Sequence, residues 1–208
     1  MVAPRVFAGA DGIISVDAFA QGCLLMKFAE KHFSILETPC PRVGEQWEIV
    51  RAQMSFGGLA VVPARIGRVN VHAFIGTGAE RLLGNRALHS AAILERKLQD
   101  PDSSTVVSAE IPQLVPGNII ETPSFRMGSM TISNMRVVFG DFEVFEEWDV
   151  NEEPAIVLGM DVLGITYSMM LEFTRQEFGI LSYRRRHGPR APARAGHAHS
   201  PQLSAAGV

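Results

Sequence analysis

The sequence predicts a mainly β fold with short helices at its turns. Apolar and polar residues alternate through "GLAVVPARIGRVNVHAFI" (58–75), as a strand with one buried face requires. Short apolar runs between residues 104 and 142 are separated by "VPGN", "RMGSM" and "FGDF", whose prolines and glycines favour chain reversals. With 208 residues, 47% of them hydrophobic, the chain is long enough for one well-packed domain with a smaller appendage.

The elements follow in order along the chain. Residues 58–75 predict a hairpin, with Gly67 at its turn. Residues 85–98 predict a short helix, because their apolar residues fall near helical spacing. The apolar run Ala155–Leu158 predicts a strand, followed by a Gly-Met-Asp turn, a short helix and one further strand.

Charge is unevenly distributed along the chain. The last 25 residues, 184–208, contain five arginines and no acid, which leaves 19 − 5 = 14 basic against 22 acidic residues before them, a balance of −8. The tail is poor in large apolar residues and is predicted to be disordered. The acidic remainder disfavours nucleic-acid binding as the main task. No long apolar run predicts a membrane span, no secretory signal is visible, and the compartment therefore remains unassigned.

The two cysteines have no histidine or cysteine neighbours at metal-ligand spacing. Cys23 and Cys40 are therefore interpreted as packed or surface thiols rather than as a disulfide or a zinc site. No metal and no cofactor is expected.

An internal repeat links the two ends of the folded region. Residues 11–36 resemble residues 155–181, with Asp17 aligned to Asp161 and Phe33 to Phe178. A spacing of about 144 residues is far longer than a solenoid unit and indicates a duplicated domain. The alternative is a pattern that any strand-turn-strand pair could share by chance. The duplication predicts four regions: a first-copy remnant (1–38), a linker (39–48), a complete second copy (49–183) and the tail (184–208).

A strand followed by "FIGTGAE", a helix, a hairpin and "IVLGMDVL" resembles the retropepsin-like aspartic peptidases, especially bacterial proteins with tandem copies of the domain. The resemblance covers residues 54–182 as a whole copy. It implies a closed β-barrel of the acid-protease type, with a flap hairpin over residues 106–121 and "VPGN" at the flap tip. The family's first motif is Asp-Thr-Gly, and in this sequence Gly76 stands at the position of the catalytic Asp.

The resemblance also implies roles for the neighbouring residues. Thr77 would hydrogen-bond across the two-fold axis to a partner loop, and Gly78 would permit the tight turn. Substrate contacts would come from Ala79 and, in the flap, from three further residues: Val115, Pro116 and Gly117. The implied partners are an extended peptide or protein substrate and either a second copy of the chain or another retropepsin-like copy.

Relatives cleave a peptide bond with two aspartates, one from each copy, which share a proton and hold a water molecule. Glycine can supply neither group, so whether the protein is an enzyme is left open. The first hypothesis is a family member that is inactive or impaired as written. The alternatives are a noncatalytic peptide-binding or dimerisation module, and a plain β-rich structural domain with a fortuitous resemblance.

Four other ionisable side chains are weighed as replacements for the missing acid. Glu80 is interpreted as a surface or helix-capping acid, and Asp161 as a helix N-terminal acid or cap. Asp141 is interpreted as a turn residue before the next strand. His72 lacks a local Ser or Cys partner for a role as a base. None occupies a position that the family uses for the reaction.

Overall fold

The structure is a computed structural model that describes residues 14, 16, 22–37, 39–96, 104–108 and 114–182. The predicted tail and Asp17 lie outside these residues. In the part of the chain that the structure describes, every helix is too short or too polar to cross a lipid bilayer.

The prediction of a mainly β fold is confirmed, since the described residues contain many strands and three short α-helices. The strands of the first half are β1 (Cys23–Lys27), β2 (His32–Leu36), β3 (Glu48–Arg51), β4 (Gln53–Ser55), β5 (Leu59–Ile66), β6 (Val69–Ile75) and β7 (Leu83–Gly84). Those of the second half are β8 (Ser104–Ser108), β9 (Leu114–Thr122), β10 (Phe125–Met127), β11 (Met130–Ile132), β12 (Met135–Phe139), β13 (Ala155–Leu158), β14 (Ser168–Glu172) and β15 (Glu177–Leu181). The helices are α1 (Arg86–Arg96), α2 (Glu143–Glu147) and α3 (Met160–Leu163).

The larger sheet curls into a half-barrel in the strand order β11-β10-β5-β6-β13-β7-β12-β9-β8, with β4 paired to β5. Strands β5 and β6 form the predicted hairpin, with Gly67 at its turn and a φ of 59° that suits glycine. Strands β6 and β13 are parallel neighbours in this sheet. Because parallel strands end at the same edge, the segments that follow β6 and β13 lie side by side.

Two apolar clusters cover the opposite faces of the half-barrel, because successive strand residues point to opposite sides. On β13, Ile156 and Leu158 belong to the main core, whereas Ala155 and Val157 belong to a second cluster. On β6, Ile75 belongs to the main core and Phe74 to the second cluster. We call this second cluster the outer cluster; its buried members are Val61, Phe74, Val138, Phe142, Phe145, Ala155 and Val157.

The smaller sheet has the order β2-β1-β14-β15-β3 and contains the two hairpins, β1–β2 and β14–β15, that end the similar segments. The hairpins β1–β2 and β14–β15 have equal strand lengths, and their first residues, Cys23 and Ser168, are 168 − 23 = 145 residues apart. Their turns both end on a residue with positive φ, Lys31 at 50° and Gln176 at 54°. The hairpins pair through β1 and β14, with Leu25 opposite Met170, which is also its counterpart in the repeat. The smaller sheet is therefore pseudo-symmetric about this pair.

The interpretation of the cysteines as separate thiols is wrong. Cys23 and Cys40 form a disulfide, with 5.0 Å between their Cα atoms, because the linker folds back across the sheet beside β1. The linker also places Val43 and Trp47 against the small apolar cluster that contains Cys23, Cys40 and Met170. Sequence spacing could not reveal the pairing, since it depends on where the linker lies.

A buried carboxylate fixes the same segment. Glu172 is 0% exposed and accepts hydrogen bonds from the backbone N–H groups of Cys40 and Thr174, the latter at 3.1 Å. The guanidinium of Arg175 lies 3.6 Å from this carboxylate. These contacts satisfy a charge that would otherwise be costly to bury.

Two further predictions are wrong in detail. The "VPGN" segment lies inside β9, where Pro116 is opposite Val106, so the flap tip cannot be there. The connection between β8 and β9 falls at residues 109–113, outside the described residues. The segment after Asp141 forms helix α2 rather than the predicted strand, because Phe142 and Phe145 pack together into the outer cluster.

Candidate functional site

Two loops at the ends of β6 and β13 form the candidate site. The N–H of Gly76 donates to the carbonyl of Leu158 at 3.1 Å, and the N–H of Met160 donates to the carbonyl of Ala79 at 2.7 Å. Backbone hydrogen bonds therefore join the Gly-Thr-Gly loop to the Gly-Met-Asp turn.

Gly76 lies at the point where a side chain would turn toward the outer cluster. It follows Ile75, which faces the main core, so strand alternation directs position 76 to the opposite face. A Cβ atom added to Gly76 would clash with Cγ1 of Val157 and would lie 3.5 Å from Cβ of Ala79. Val157 is buried and β-branched, and it cannot easily move aside. The packing thus closes the space that an aspartate would need.

Thr77 and Gly78 are exposed at the tip of the loop. The threonine hydroxyl is therefore accessible to a second loop brought against it. The hydrogen bond across a two-fold axis stays a prediction.

Asp161 connects the two loops through its side chain. Its Oδ2 atom accepts a hydrogen bond from the N–H of Leu82 at 3.0 Å. Asp161 as a residue is exposed, but its carboxyl is partly buried, and this burial raises its pKa above the ordinary value of 3.8. Hydrogen bonds from the N–H groups of Leu82 and Val162 lower the pKa and so oppose the rise. Asp161 lies in the first turn of α3, as predicted, but the N-cap is Gly159 and has no side-chain hydrogen bond. Its side chain holds the preceding loop instead of capping the helix.

The other predicted site residues lie in strand β9. Val115, Pro116 and Gly117 are opposite Val107, Val106 and Thr105 of β8, so they belong to the base of the predicted flap hairpin. Gly117 lines a cavity of about 260 Å³, whose other lining residues are Arg86, His89, Asn118, Phe139, Gly140 and Asp141. None of residues 76–79 lines this cavity.

The remaining predicted residues take ordinary structural positions. Ala79 packs against the outer cluster, and Asp141 pairs with Arg86 at the cavity mouth. Glu80 is exposed on the surface, as interpreted from the sequence. His72 is also exposed, and its Nε2 atom lies 3.0 Å from the Glu153 carboxylate. The structure therefore places none of these side chains where it could replace an acid at position 76.

Asn85 is an important residue that the sequence analysis missed. It is 1% exposed, and its Oδ1 atom accepts from the N–H groups of Leu88, at 2.9 Å, and Ala155, at 3.1 Å. Its Nδ2 atom donates to the carbonyls of Val150 and Glu153, each at 2.7 Å. One side chain thus fixes the start of α1, the start of β13 and the loop between α2 and β13. An asparagine directly before a predicted helix is a recognisable N-cap, but its long-range bonds are visible only in the fold.

Comparison with known proteins gives similarity in structure. The chain is similar to a retropepsin-like aspartic protease from Rickettsia conorii, with a TM-score of 0.42, 14% identity, and coverage of 64% of this chain and 89% of that one. It is also similar to the retroviral protease-like domain of Ddi1 from Leishmania major, with a TM-score of 0.38, 19% identity, and coverage of 56% and 82%. No protein-family model and no curated protein matches the chain.

Proposed function

We propose that this protein is a retropepsin-like domain that binds an extended polypeptide without hydrolysing it. The observation that carries the proposal is the packing at Gly76, where Val157 occupies the space of an acidic side chain. The two loops around this position nevertheless keep their hydrogen bonds to each other. The hydrogen bonds between the loops are kept although Val157 fills the space of the acid, and this combination suits binding better than catalysis.

The absence of an acid removes both steps of the reaction that relatives perform. A carboxylate takes a proton from water, and its partner protonates or hydrogen-bonds the scissile carbonyl. A symmetric dimer through this loop would place Gly76 against Gly76, with no carboxylate from either. Asp161, the acid of the adjoining turn, has its carboxylate directed to the N–H of Leu82.

Polypeptide binding is supported by strand β8, an edge strand of the larger sheet. Among the described strands, β8 pairs with β9 and with no other strand. Edge strands can accept an extended peptide through backbone hydrogen bonds, while pockets take alternate side chains. The cavity beside Gly117 lies next to this hairpin, and its Arg86–Asp141 pair offers one cation and one carboxylate to a ligand.

We further propose that β1–β2 is the closing hairpin of a first retropepsin-like copy and that residues 49–183 form the second. The constant separation of the two hairpins and their pseudo-symmetric pairing support this division. A partner lobe would then be another retropepsin-like copy. In a tandem arrangement, a noncatalytic lobe can pair with a lobe of different sequence.

The test is to incubate the purified protein with a peptide library and to measure binding and cleavage in the same samples by mass spectrometry. We expect retained peptides and no new termini between pH 3 and pH 7. Cleavage that a statine-type transition-state mimic inhibits would overturn the noncatalytic assignment. Absence of any retained peptide would overturn the binding assignment.

Two variants test the packing argument. Gly76→Asp alone should destabilise the fold by about 1–3 kcal/mol through overpacking, and should remain inactive. Adding Val157→Ala should recover part of that loss, because the methyl group that obstructs Cβ is removed. Val157→Ala alone is the matched control. Thermal or urea unfolding measures all three, and equal destabilisation with and without Val157→Ala would contradict the packing argument.

A further inference from the structure

We propose that the outer face of strands β10 and β5 binds a phosphoryl group between Arg65 and Arg126. The two arginines are directly opposite each other on neighbouring antiparallel strands. Cross-strand neighbours of this kind point to the same face of a sheet, with their Cα atoms about 5 Å apart. The proposal is independent of polypeptide binding at β8, because β10 and β5 lie toward the other end of the strand order.

Strand alternation directs both guanidinium groups away from the main core. Ile66 and Phe125, the neighbouring residues on the two strands, are also opposite each other and are buried in that core. Successive strand residues point to opposite faces, so Arg65 and Arg126 point outward, and both residues are exposed. The pair therefore presents two cations to solvent on one surface.

The other arginines of the described strands are matched with acids. Arg51 is opposite Glu177, and Arg136 is opposite Glu121. Unlike charges directly opposite each other stabilise a sheet, whereas like charges destabilise it. The arginine pair at the proposed site departs from this arrangement. A departure that costs stability in the free protein is expected where a ligand supplies the missing negative charge.

No carboxylate among the described residues balances this pair. Residues 63–71 and 123–134, which include both arginines, contain no acidic residue. Within the described part of the chain Arg126 forms no ion pair, and the Nη2 atom of Arg65 donates to the carbonyl of Arg68 at 3.4 Å. Glu48 reaches the turn after β10, but its carboxylate accepts from the N–H of Ser129 at 2.8 Å. The balancing charge must therefore come from a ligand.

Two neutral side chains extend the pair into a row. Asn70 is opposite Arg65 on β6, and Thr131 is opposite Arg126 on β11. Four side chains on four adjacent strands thus share one face: a hydroxyl, two guanidinium groups and an amide. All four residues are exposed, and each side chain can donate a hydrogen bond to an anionic oxygen.

The charge of the site selects the class of ligand. The two guanidinium groups carry two positive charges, and a phosphoryl group carries about −1.5 to −2 at pH 7. A guanidinium also matches phosphate oxygens in bidentate geometry. A single carboxylate would balance only half of the positive charge. The ligand that fits is therefore inorganic phosphate or a phosphate monoester.

The test is a titration of the full chain with inorganic phosphate, O-phosphoserine and glutamate, followed through the arginine Nε–Hε signals by NMR. Ionic strength is held constant, because salt screens exposed charges. The signals of Arg65 and Arg126 should shift with both phosphate compounds, and glutamate should bind at least fivefold more weakly. The ratio of the two phosphate affinities distinguishes free phosphate from a monoester as the ligand. Equal binding of glutamate, or equal shifts at Arg51 and Arg136, would overturn the proposal.

Two variants and a matched control locate the site. Arg65→Gln and Arg126→Gln should each reduce phosphate affinity at least fivefold, because each removes one of the two charges. Arg136→Gln is the control, since Arg136 is also an exposed strand arginine but has an acid opposite it. An unchanged affinity in either of the first two variants would overturn the proposal.

Thermal unfolding distinguishes a binding role from a structural one. Without phosphate, Arg65→Gln and Arg126→Gln should raise the unfolding midpoint, because each removes a like-charge contact, and Arg136→Gln should lower it. Millimolar phosphate should raise the midpoint of the wild type more than those of Arg65→Gln and Arg126→Gln, because binding stabilises the folded state. A lower midpoint in both of these variants without phosphate would show that the pair is structural and would overturn the proposal.

Discussion

The hairpins β1–β2 and β14–β15 have the same strand lengths and the same type of turn, but different surroundings. Phe178 is enclosed by the main core and by β3, while Phe33 faces solvent at a sheet edge. The backbone of the repeat is therefore specified locally. Burial, and with it the contribution of each side chain to stability, depends on which elements pack against the hairpin.

Truncating the two phenylalanines should give the largest difference in stability between the two hairpins. Phe178→Ala should lower the free energy of unfolding by about 3–5 kcal/mol, because it leaves a cavity in the core. Phe33→Ala should change it by about 0.5 kcal/mol or less, as an exposed substitution does. Urea unfolding of both variants measures the difference, and similar losses would show that the two environments are equivalent.

A second way to test the comparison is the disulfide, which only the first hairpin carries. Replacing both cysteines, as Cys23→Ser with Cys40→Ser, should cost about 3 kcal/mol, since the bond closes a loop of 17 residues. At the corresponding position the second hairpin has Ser168. Unfolding of the wild type with and without a reductant should reproduce the loss, whereas Ser168→Ala should not alter the response to the reductant. Insensitivity of the wild type would argue that the disulfide adds no stability.

The third test compares the charged residues at the ends of equivalent strands, Glu172 and Lys27. Glu172→Ala should cost about 1–3 kcal/mol, because it leaves the N–H group of buried Cys40 without its acceptor. Lys27→Ala should cost about 0.5 kcal/mol or less, since its partner Glu30 is exposed, with 3.1 Å between the charged atoms. Chemical denaturation measures both values, and a reversed order would contradict the burial argument.

The smallest expected effect is the pH dependence of folding stability that Asp161 contributes. In the sequence repeat, Asp161 is aligned with Asp17. Because its pKa is raised in the folded state, the folded protein binds more protons than the unfolded chain in the interval above 3.8. The wild type should therefore lose stability relative to Asp161→Asn as pH rises through that interval. The asparagine can still accept from the N–H of Leu82. Denaturation series between pH 3 and pH 7 measure this difference, and a constant difference would show that the carboxyl is not perturbed.

Much of the fold was predictable from periodicity and turn residues. The β5–β6 hairpin, helix α1, strand β13 and helix α3 all occur where the sequence places them. The flap tip was predicted at the wrong position because turn residues do not always mark a turn. Proline and glycine in "VPGN" suggested a reversal, yet β9 continues through them. Pro116 lacks an N–H donor, but an outer position near a sheet edge tolerates this better than the sheet centre does.

The sequence analysis selected the candidate site, but it could not predict how the site is packed. The sequence marks Gly76 as the position of interest, because the surrounding "FIGTGAE" resembles a catalytic loop. It could not show that Val157, 81 positions later (157 − 76 = 81), fills the space beside that glycine. Nor could it show that Asn85 joins three elements or that Glu172 is buried, since each depends on contacts between distant segments.

Residue type and short-range spacing were enough to predict the β class and the order of the two loop motifs along the chain. Three features became visible only in the folded chain: the bond between Cys23 and Cys40, the exposure of Phe33 beside the burial of Phe178, and the closure of the space beside Gly76. The physical reason is that burial and side-chain pairing depend on which distant segments meet, and local sequence patterns do not encode that choice.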